Sequence, residues 1–271
     1  MRIKYFHFVI LILFYFQIAY ANNTQKIVTL APNLTEIVFA LELEGKLVGN
    51  TFLCDYPIKA KSIFKVGQYN DPSLEKILTS GATVVLATKG NPIAKLNKLK
   101  SYGINIIEVN PERAEDLPVI INDIAKKLGA EKKGEIVAKK IKEALFSLEN
   151  KPKKNKSFLF ALQFNPLYSV SEDTWLGGLF LKSGLKNIVG KSIIKYPIIT
   201  KEFLIKNRPD IILVGSIKGK NIDESLKIQT QNIKNIYGND IDKIKVIIVP
   251  DDVLVRPGPR IVEGIKFIES L

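Results

Sequence analysis

The sequence contains few of the residues on which most catalytic and metal sites depend. Its only cysteine is Cys54, so no internal disulfide can form and the hydrophobic core must hold the fold together. Its only histidine is His7, in the N-terminal segment. Without a histidine beyond that segment, the chain cannot build a histidine-based zinc or manganese site or a Ser-His-Asp triad. Two large classes of function are therefore excluded.

Other signatures of catalysis are also missing. The sequence has no glycine-rich phosphate loop of the GxxxxGK type and no plausible pairing of a nucleophile with a base. The acidic pair Asp251-Asp252 is weakly diagnostic, because neighbouring loop carboxylates are common. Arginines are scarce, whereas a pocket for a highly anionic ligand usually collects several. The arginines are Arg2, Arg113, Arg208, Arg256 and Arg260. Because the signatures of catalysis are missing, we expect a protein that is not an enzyme.

Residues 1–21 have the pattern of a targeting segment. A positive start at Arg2 and Lys4 precedes an apolar stretch from Phe8 to Phe16, and Ala19-Tyr-Ala21 is a small-x-small cleavage site. An uncleaved membrane anchor is the alternative, but the apolar stretch is shorter than the roughly 20 residues that span a bilayer. The sequence thus predicts a signal peptide cleaved after Ala21 and export to the periplasm.

The excess of positive charge raises the question of a nucleic-acid partner. The chain has 40 Lys and Arg against 27 Asp and Glu, a formal net charge of +13. The lysines are scattered, without aromatic interleaving or a known motif, and export makes nucleic acid a less suitable partner. We predict a solvated lysine-rich surface and no nucleic-acid binding, with a basic binding face as the alternative.

One helix–strand pattern occurs twice. Residues 73–87 and residues 200–214 each begin with a hydroxyl residue suited to capping a helix, and each places a glutamate, Glu75 or Glu202, in the first turn. Each copy then breaks at a glycine or proline and enters a short β-branched strand. A chain that builds the same unit twice is expected to contain two similar lobes. Two lobes that each display a carboxylate suggest a surface recognised by a symmetric partner.

The rest of the chain alternates short β-branched runs with amphipathic segments, which is typical of parallel βα units. The predicted strands are 27–30, 47–50, 84–87, 104–109, 157–162, 211–214 and 246–249. The predicted helices are one capped by Asn33 and those at 73–79, 92–102, 115–128, 174–182 and 261–271.

Residues 131–150 carry one apolar stripe at helical spacing, and no strand follows closely. This pattern predicts a long helix that joins two lobes; a crossover helix within one larger sheet is the alternative. The predicted organisation is an α/β chain with parallel sheets. Its parts are a signal peptide (1–21), an N-terminal lobe (22–130), a linking helix (131–152) and a C-terminal lobe (153–271).

Ligands of open parallel sheets bind beyond the carboxyl ends of the strands. In this sequence, tyrosines cluster in the loops that follow the predicted strands. Four of them, Tyr56, Tyr69, Tyr168 and Tyr196, fall on such loops, two in each predicted lobe. Aromatic side chains with a polar tip offer large contact areas to a sizeable planar ligand. For any single tyrosine the alternative is a residue that covers an edge of the core.

The segment from Pro250 to Arg260 follows the last strand and is predicted to be a loop. Asp252 and Arg256 lie in it, between prolines and a glycine that fix the backbone. They are candidates for polar contacts to a ligand. Alternatively, they pair with each other at the surface, where an ion pair contributes little.

These features resemble the helical-backbone substrate-binding proteins of ABC importers, a group that carries cobalamin, ferric siderophores and haem. The resemblance covers residues 26–271 and rests on four motifs in this order. They are Ile27-Val-Thr-Leu-Ala-Pro-Asn-Leu-Thr-Glu36, Asp55-Tyr-Pro57, Leu74-Glu-Lys-Ile77 and Arg256-Pro-Gly-Pro-Arg-Ile261. The resemblance implies two Rossmann-like lobes with parallel sheets, joined by one long backbone helix, with the solute clamped in the cleft between them.

The resemblance also implies a function: capture of a corrinoid, cobalamin, and its delivery to an ABC importer. The matching ligand contacts are Tyr56, Tyr69, Tyr168, Tyr196, Asp252, Val253, Leu254, Val255 and Arg256. Glu75 and Glu202 match the carboxylates that dock onto arginines of two permease subunits. The implied partners are an inner-membrane permease dimer with its ATPase. The protein is expected to be a monomer without a metal or cofactor of its own.

Departures from the family pattern bear on the identity of the solute. Thr88 stands where the cobalamin carriers have an aromatic residue, and two cleft positions are tyrosine where tryptophan is expected. The same fold carrying a ferric siderophore or haem is the main alternative. The scarcity of arginine disfavours a siderophore, and the lack of histidine disfavours haem, although a tyrosine can ligate iron. A sensor or enzyme domain on this scaffold is a second alternative.

Overall fold

The computed structural model describes residues 25–152, 154–217, 219–238 and 244–271. The predicted signal peptide lies outside the described residues. Within them, no helix combines the length and the apolar character that crossing a membrane requires. The chain forms two compact units. The first unit runs to Asn110 and includes Ile121–Glu135, and the second comprises Pro111–Ile120 and Ile136–Leu271.

A five-stranded parallel sheet forms the centre of the first unit, in the order β3-β2-β1-β4-β5. Its strands are β1 (Ile27–Thr29), β2 (Leu47–Thr51), β3 (Lys65–Gly67), β4 (Val84–Thr88) and β5 (Asn105–Val109). The central strands are buried on both faces, as the β-branched sequence predicts for a sheet covered by helices. Because the strand order reverses between β1 and β4, this unit has a topological switch point there.

The second unit is built around a four-stranded parallel sheet in the order β11-β10-β6-β9. Its strands are β6 (Ser157–Ala161), β9 (Lys186–Asn187), β10 (Ile211–Gly215) and β11 (Lys245–Val249). A small antiparallel hairpin, β7 (Gln163–Phe164) and β8 (Leu167–Tyr168), follows directly after β6. The strand order again reverses beside the first strand of the unit, so the switch point lies between β6 and β10.

Helices connect the strands. They are α1 (Pro32–Ala40), α2 (Leu74–Thr79), α3 (Ile93–Leu96), α4 (Asp116–Leu128), α5 (Glu131–Asn150), α6 (Trp175–Lys182), α7 (Lys201–Lys206), α8 (Ile222–Tyr237), α9 (Asp251–Val255) and α10 (Ile261–Ser270). The α/β class with parallel sheets is confirmed. The apolar stripe predicted for residues 131–150 forms the 20-residue helix α5.

Both copies of the repeated helix–strand pattern are present. The Ser73 hydroxyl accepts a hydrogen bond from Lys76 N at the start of α2, and the Thr200 hydroxyl accepts one from Phe203 N at the start of α7, each at 3.2 Å. α2 leads into β4, which pairs with the first strand of its unit, and α7 leads into β10, which does the same. The sequence repeat therefore reflects equivalent positions in two similar sheets.

Several local predictions were wrong for identifiable reasons. Asn33 does not cap α1: Pro32 occupies the first helical position, which makes Ala31 the N-cap. The helix predicted at residues 92–102 is only one α-helical turn, α3, and continues as a 3-10 helix to Tyr102. The loop predicted after β11 begins with the short helix α9. Helix α8 was missed, although Asn221 and Glu224 form a capping box at its start.

Candidate functional site

In the first unit, Tyr69 lies at the switch point of the sheet. Its hydroxyl donates a hydrogen bond to the carbonyl of Lys89, just after the end of β4. Gly90 follows with φ +95°, and a Cβ at this position would lie 2.5 Å from the Tyr69 oxygen. Glycine is therefore required at this close approach. Tyr69 is half-buried, and this burial raises the pKa of its phenol.

A buried amide, Asn91, fixes this arrangement. Its Oδ1 accepts a hydrogen bond from Thr88 N at 2.8 Å, and its Nδ2 donates to the carbonyls of Leu30 at 3.2 Å and Tyr69 at 2.7 Å. One side chain thus ties together the ends of β1 and β4 and the loop that carries Tyr69. Asn91 was not identifiable from the sequence, because the Leu30 and Tyr69 carbonyls that it binds are distant along the chain.

Tyr56 lies in the loop between β2 and β3, also at the carboxyl edge of the first sheet. Tyr56 is 44% exposed, which leaves much of its ring accessible at this edge. Phe52, Leu53 and Ile58 in the same loop are exposed as well. The loop closes through a hydrogen bond of 2.9 Å from Asn50 Nδ2 to the Ala60 carbonyl. The first unit therefore presents an apolar, tyrosine-bearing edge.

In the second unit, Tyr168 and Tyr196 belong to one antiparallel ribbon. Backbone hydrogen bonds join Ser169 to Pro197 and Ser171 to Lys195, and Tyr168 forms a bridge with Ile198. In this register Tyr168 opposes Ile198 and Tyr196 opposes Val170. Opposed residues share a face and side chains alternate along a strand, so the two tyrosines lie on the same face. Tyr196 is 52% exposed, and Tyr168 is half-buried.

Asn187 anchors this ribbon to the sheet. Its Nδ2 donates to the Val170 carbonyl at 2.8 Å, and its Oδ1 accepts from Val189 N at 3.0 Å. Asn187 is 2% exposed and lies in β9, next to β6. It therefore acts on the ribbon of Tyr168 and Tyr196 much as Asn91 acts on the loop of Tyr69.

The segment with Asp252 and Arg256 is helical where the sequence predicted a loop. Arg256 Nη2 forms an ion pair of 2.9 Å with Asp252 Oδ1 across one turn of α9. The Asp252 side chain is 59% exposed and that of Arg256 18%. This is the mutual pair that the sequence analysis left open. Polar contacts of both groups to a ligand remain a prediction.

The apolar residues of α9 divide between core and surface. Leu254 is fully buried and Val253 nearly so, whereas Val255 is 41% exposed. The Leu254 carbonyl accepts a hydrogen bond of 2.7 Å from Trp175 Nε1, and a Cβ at Gly264 would lie 2.7 Å from the Leu254 side chain. Leu254 therefore supports α9 from the core, and Val255 is the apolar side chain available at its surface.

Glu75 and Glu202 lie on the surface, one in each unit, in the first turns of α2 and α7. The pKa of Glu202 is lowered, because its carboxylate accepts hydrogen bonds from its own backbone N–H and from the Thr200 hydroxyl. Both helix termini favour a negative charge at these positions. The two carboxylates are thus equivalent, and their side chains face solvent.

A cavity of about 360 Å³ lies in the second unit, beside α6. It is lined by Glu112–Glu115, Glu172–Trp175, Gly178, Leu179, Leu181 and Lys182. Its described lining includes none of the four tyrosines. Lys182, one of the lining residues, forms ion pairs with Glu115 and Glu149. Burial lowers the pKa of Lys182, but its hydrogen bonds to Glu115 and Glu149 outweigh this effect and raise the pKa above its ordinary value of 10.5.

We expect Lys182→Met to lower the free energy of unfolding by about 1–3 kcal/mol at neutral pH, because two carboxylates lose their cation. This lies between the roughly 1 kcal/mol of an exposed ion pair and the roughly 3–5 kcal/mol lost when a buried pair is broken, since the two glutamates are 46% and 47% exposed. The pKa of Glu115 is raised by burial, but the hydrogen bond to Lys182 and the nearby positive charges lower it below its ordinary value of 4.5. The stabilisation is therefore present above pH 4.5 and is lost as the pH falls through the lower pKa of the folded state. Thermal melts of both proteins across this range measure the difference.

Lys139→Met is the matched control, because Lys139 and Glu143 form an exposed pair at 3.9 Å. We expect this control to differ little from the wild-type chain. Equal losses in the two variants, or a Lys182 effect that persists below the pKa of Glu115, would contradict the role given to Lys182.

The described part of the chain holds no cluster of three or more His, Cys, Asp or Glu side chains able to bind a metal ion. What each unit presents at its strand ends is aromatic, and buried amides hold the loops there. Such an edge suits a large amphipathic solute.

Comparison with known proteins identifies the family of the chain. The sequence profile of the family described as periplasmic binding proteins matches residues 27–232. The vitamin B12-binding protein of Vibrio parahaemolyticus serotype O3:K6 (strain RIMD 2210633) is 27% identical over 268 residues. The match covers 96% of this chain and 95% of that protein.

Solved structures share the fold. The periplasmic vitamin B12-binding protein BtuF of Vibrio cholerae superposes with a TM-score of 0.72 and 24% identity, over 91% of this chain and 95% of that one. The apo form of the periplasmic haem-binding protein RhuT from Roseiflexus sp. RS-1 superposes with a TM-score of 0.76 and 21% identity, over 91% and 97% of the two chains. The chain therefore belongs to the periplasmic binding protein family, whose members bind solutes and are not enzymes.

Proposed function

We propose that this protein captures a corrinoid, of which cobalamin is the expected example, and delivers it to an ABC importer. The observation that carries the choice of solute is the near full-length similarity to a vitamin B12-binding protein, which covers 96% of the chain. The similarity of fold does not distinguish the two solutes, because a vitamin B12-binding protein and a haem-binding protein superpose on this chain about equally well. The exposed side chains of Tyr56 and Tyr196 offer aromatic contact area to a large planar solute.

The proposed contacts come from both units. Tyr56 and Tyr69 in the first and Tyr168 and Tyr196 in the second supply the aromatic surface. Asp252 and Arg256 supply polar groups for the amide side chains of the corrinoid, and Val255 adds an apolar contact beside them. Val253 and Leu254 contribute through the backbone and support of α9, because their side chains are buried.

In this proposal the solute lies in a cleft between the two lobes, with residues 131–152 as the linking helix. The partners are an inner-membrane permease dimer and its ATPase, and the binding protein acts as a monomer. Glu75 and Glu202 are the groups that dock on the two permease subunits, since each opens an equivalent helix with its carboxylate exposed.

Haem is the second candidate, because haem carriers have the same fold. A tyrosine can ligate haem iron, so the absence of histidine beyond His7 does not decide the matter. Absorption spectroscopy separates the candidates: the purified protein is incubated with cyanocobalamin, haemin or a ferric siderophore and then freed of unbound ligand. We expect only the corrinoid spectrum to remain with the protein. Retention of haemin alone would replace the proposed solute by haem.

Export with cleavage after Ala21 is part of the proposal. Mass spectrometry of the periplasmic protein is expected to give an N terminus at Asn22. An intact Met1 in the membrane fraction would instead mean that residues 1–21 serve as an anchor.

A further inference from the structure

The ammonium group of Lys65 lies inside the loop that carries Tyr56. Its Nζ donates to Asn50 Oδ1 at 2.7 Å and to the carbonyls of Thr51 at 3.4 Å, Cys54 at 3.2 Å and Ala60 at 3.1 Å. An ammonium group has three protons, and here four oxygen atoms share them. The oxygen atoms surround the ammonium group much as they would surround a bound cation.

The three carbonyls come from the three residues of the loop whose side chains are buried. Thr51, Cys54 and Ala60 are each at most 1% exposed, and the Cys54 sulfur lies 3.2 Å from the Thr51 hydroxyl. Between them the loop turns its large side chains outward, since Phe52, Leu53 and Ile58 are all more than half exposed. The buried side chains of this loop are small, so hydrogen bonds to their backbone carbonyls add to the limited apolar burial that shapes the loop.

Backbone hydrogen bonds of 3.1 Å from Cys54 N to the Thr51 carbonyl and of 2.7 Å from Ala60 N to the Pro57 carbonyl form turns within the loop. Two side chains from outside these turns, Asn50 and Lys65, tie the turns together. Asn50 Nδ2 donates to the Ala60 carbonyl, and Lys65 donates to the same carbonyl and to two others. The bonds from Lys65 are charge-assisted and partly shielded from water, which makes them stronger than the neutral one from Asn50. Burial lowers the pKa of Lys65, while the nearby Cys54 and Asp55 oppose this shift.

We propose that Lys65 is the positioning residue of the solute site in the first unit: its ammonium group holds residues 51–60 in the shape that presents Tyr56. This inference rests on the proposed function, because it assigns Tyr56 to the solute. It adds a residue that touches no ligand and acts only through the loop. Loss of the charge should open the loop without unfolding the sheet.

The test compares Lys65→Met with Lys61→Met. Both variants remove one lysine from the same segment, but Lys61 is exposed. Cys54, the only thiol of the chain and 1% exposed, reports loop opening through its rate of reaction with a thiol reagent under native conditions. In Lys65→Met we expect Cys54 to react at least about tenfold faster and the Kd for cyanocobalamin to rise at least about tenfold. In Lys61→Met both quantities should stay within about twofold of wild type.

Chemical rescue separates a positioning charge from a simple packing role. In Lys65→Ala, added propylammonium should restore Cys54 protection and corrinoid affinity, while the same concentration of sodium chloride should not. A side chain that merely filled space would not give a response specific to the amine.

Three results would overturn the proposal. They are equal Cys54 reactivity and affinity in Lys65→Met and Lys61→Met, an equal response of Lys65→Ala to amine and salt, and global unfolding of both Lys65→Met and Lys65→Gln in circular dichroism. If the wild-type chain does not bind cyanocobalamin, the proposed function fails, and Cys54 reactivity alone still decides whether Lys65 holds the loop.

Discussion

Reversing two surface charges together, with Glu75→Lys and Glu202→Lys, is expected to abolish uptake of the solute while leaving its affinity in solution unchanged. The two carboxylates open equivalent helices, α2 and α7, in equivalent positions of two similar sheets. A permease built from two related subunits would meet one carboxylate on each. Two repulsive pairs then replace two attractive ones at the interface, and the protein cannot settle in the productive orientation.

Each single reversal should give a partial defect, because one correct pair remains. Exposed charges are screened by salt, so the difference in uptake between the wild type and the reversed variants should narrow as the ionic strength rises. Lys76→Glu is a suitable control. Lys76 is exposed and follows Glu75, but the equivalent position of α7 is the uncharged Phe203, so Lys76 is not part of the repeated pair of charges. Normal uptake by the double variant at low salt would reduce both glutamates to residues that stabilise helix termini.

Tyr56→Ala and Tyr196→Ala are expected to weaken corrinoid binding by about 2 kcal/mol or more each, roughly a thirtyfold rise in Kd. Both side chains are about half exposed, at 44% and 52%, so their removal costs contact area with the solute rather than core packing. Melting temperatures of the free protein should therefore change little. Calorimetric titration and thermal melts of the same samples measure the two effects.

Tyr102→Ala is the matched control for these variants. Tyr102 is 68% exposed and ends the 3-10 helix that leads into β5. It therefore lies at the amino ends of the parallel strands, whereas the loops of Tyr56 and Tyr69 lie at the carboxyl ends. Its removal should change neither quantity. If Tyr56→Ala or Tyr196→Ala loses stability in step with affinity, the side chain concerned belongs to the core and not to the solute site.

The sequence was sufficient for the framework of the fold because its signals are local. Ser73 and Thr200 cap the helices that carry the two glutamates, and β-branched runs form the strands that follow. Helix α8 was equally readable, since Asn221 and Glu224 lie three residues apart. By contrast, α9 is a five-residue helix whose formation depends on packing against α10 and on the hydrogen bond from Trp175.

The supports of the candidate site could not be predicted, because they join distant parts of the chain. Asn91 reaches the carbonyl of Leu30 across 61 positions, and Trp175 reaches Leu254 across 79. The pairing that brings Tyr168 and Tyr196 to one face also depends on tertiary structure. The tyrosines themselves were identifiable from the sequence, but the polar side chains that hold their loops emerged only from the folded structure.

The most direct test of the central claim is a calorimetric titration of the mature chain, beginning at Asn22, with cyanocobalamin, run in parallel with haemin. The proposed function predicts saturable binding of one corrinoid per chain and no comparable binding of haemin. No heat of binding with cyanocobalamin, or tighter binding of haemin, would contradict it.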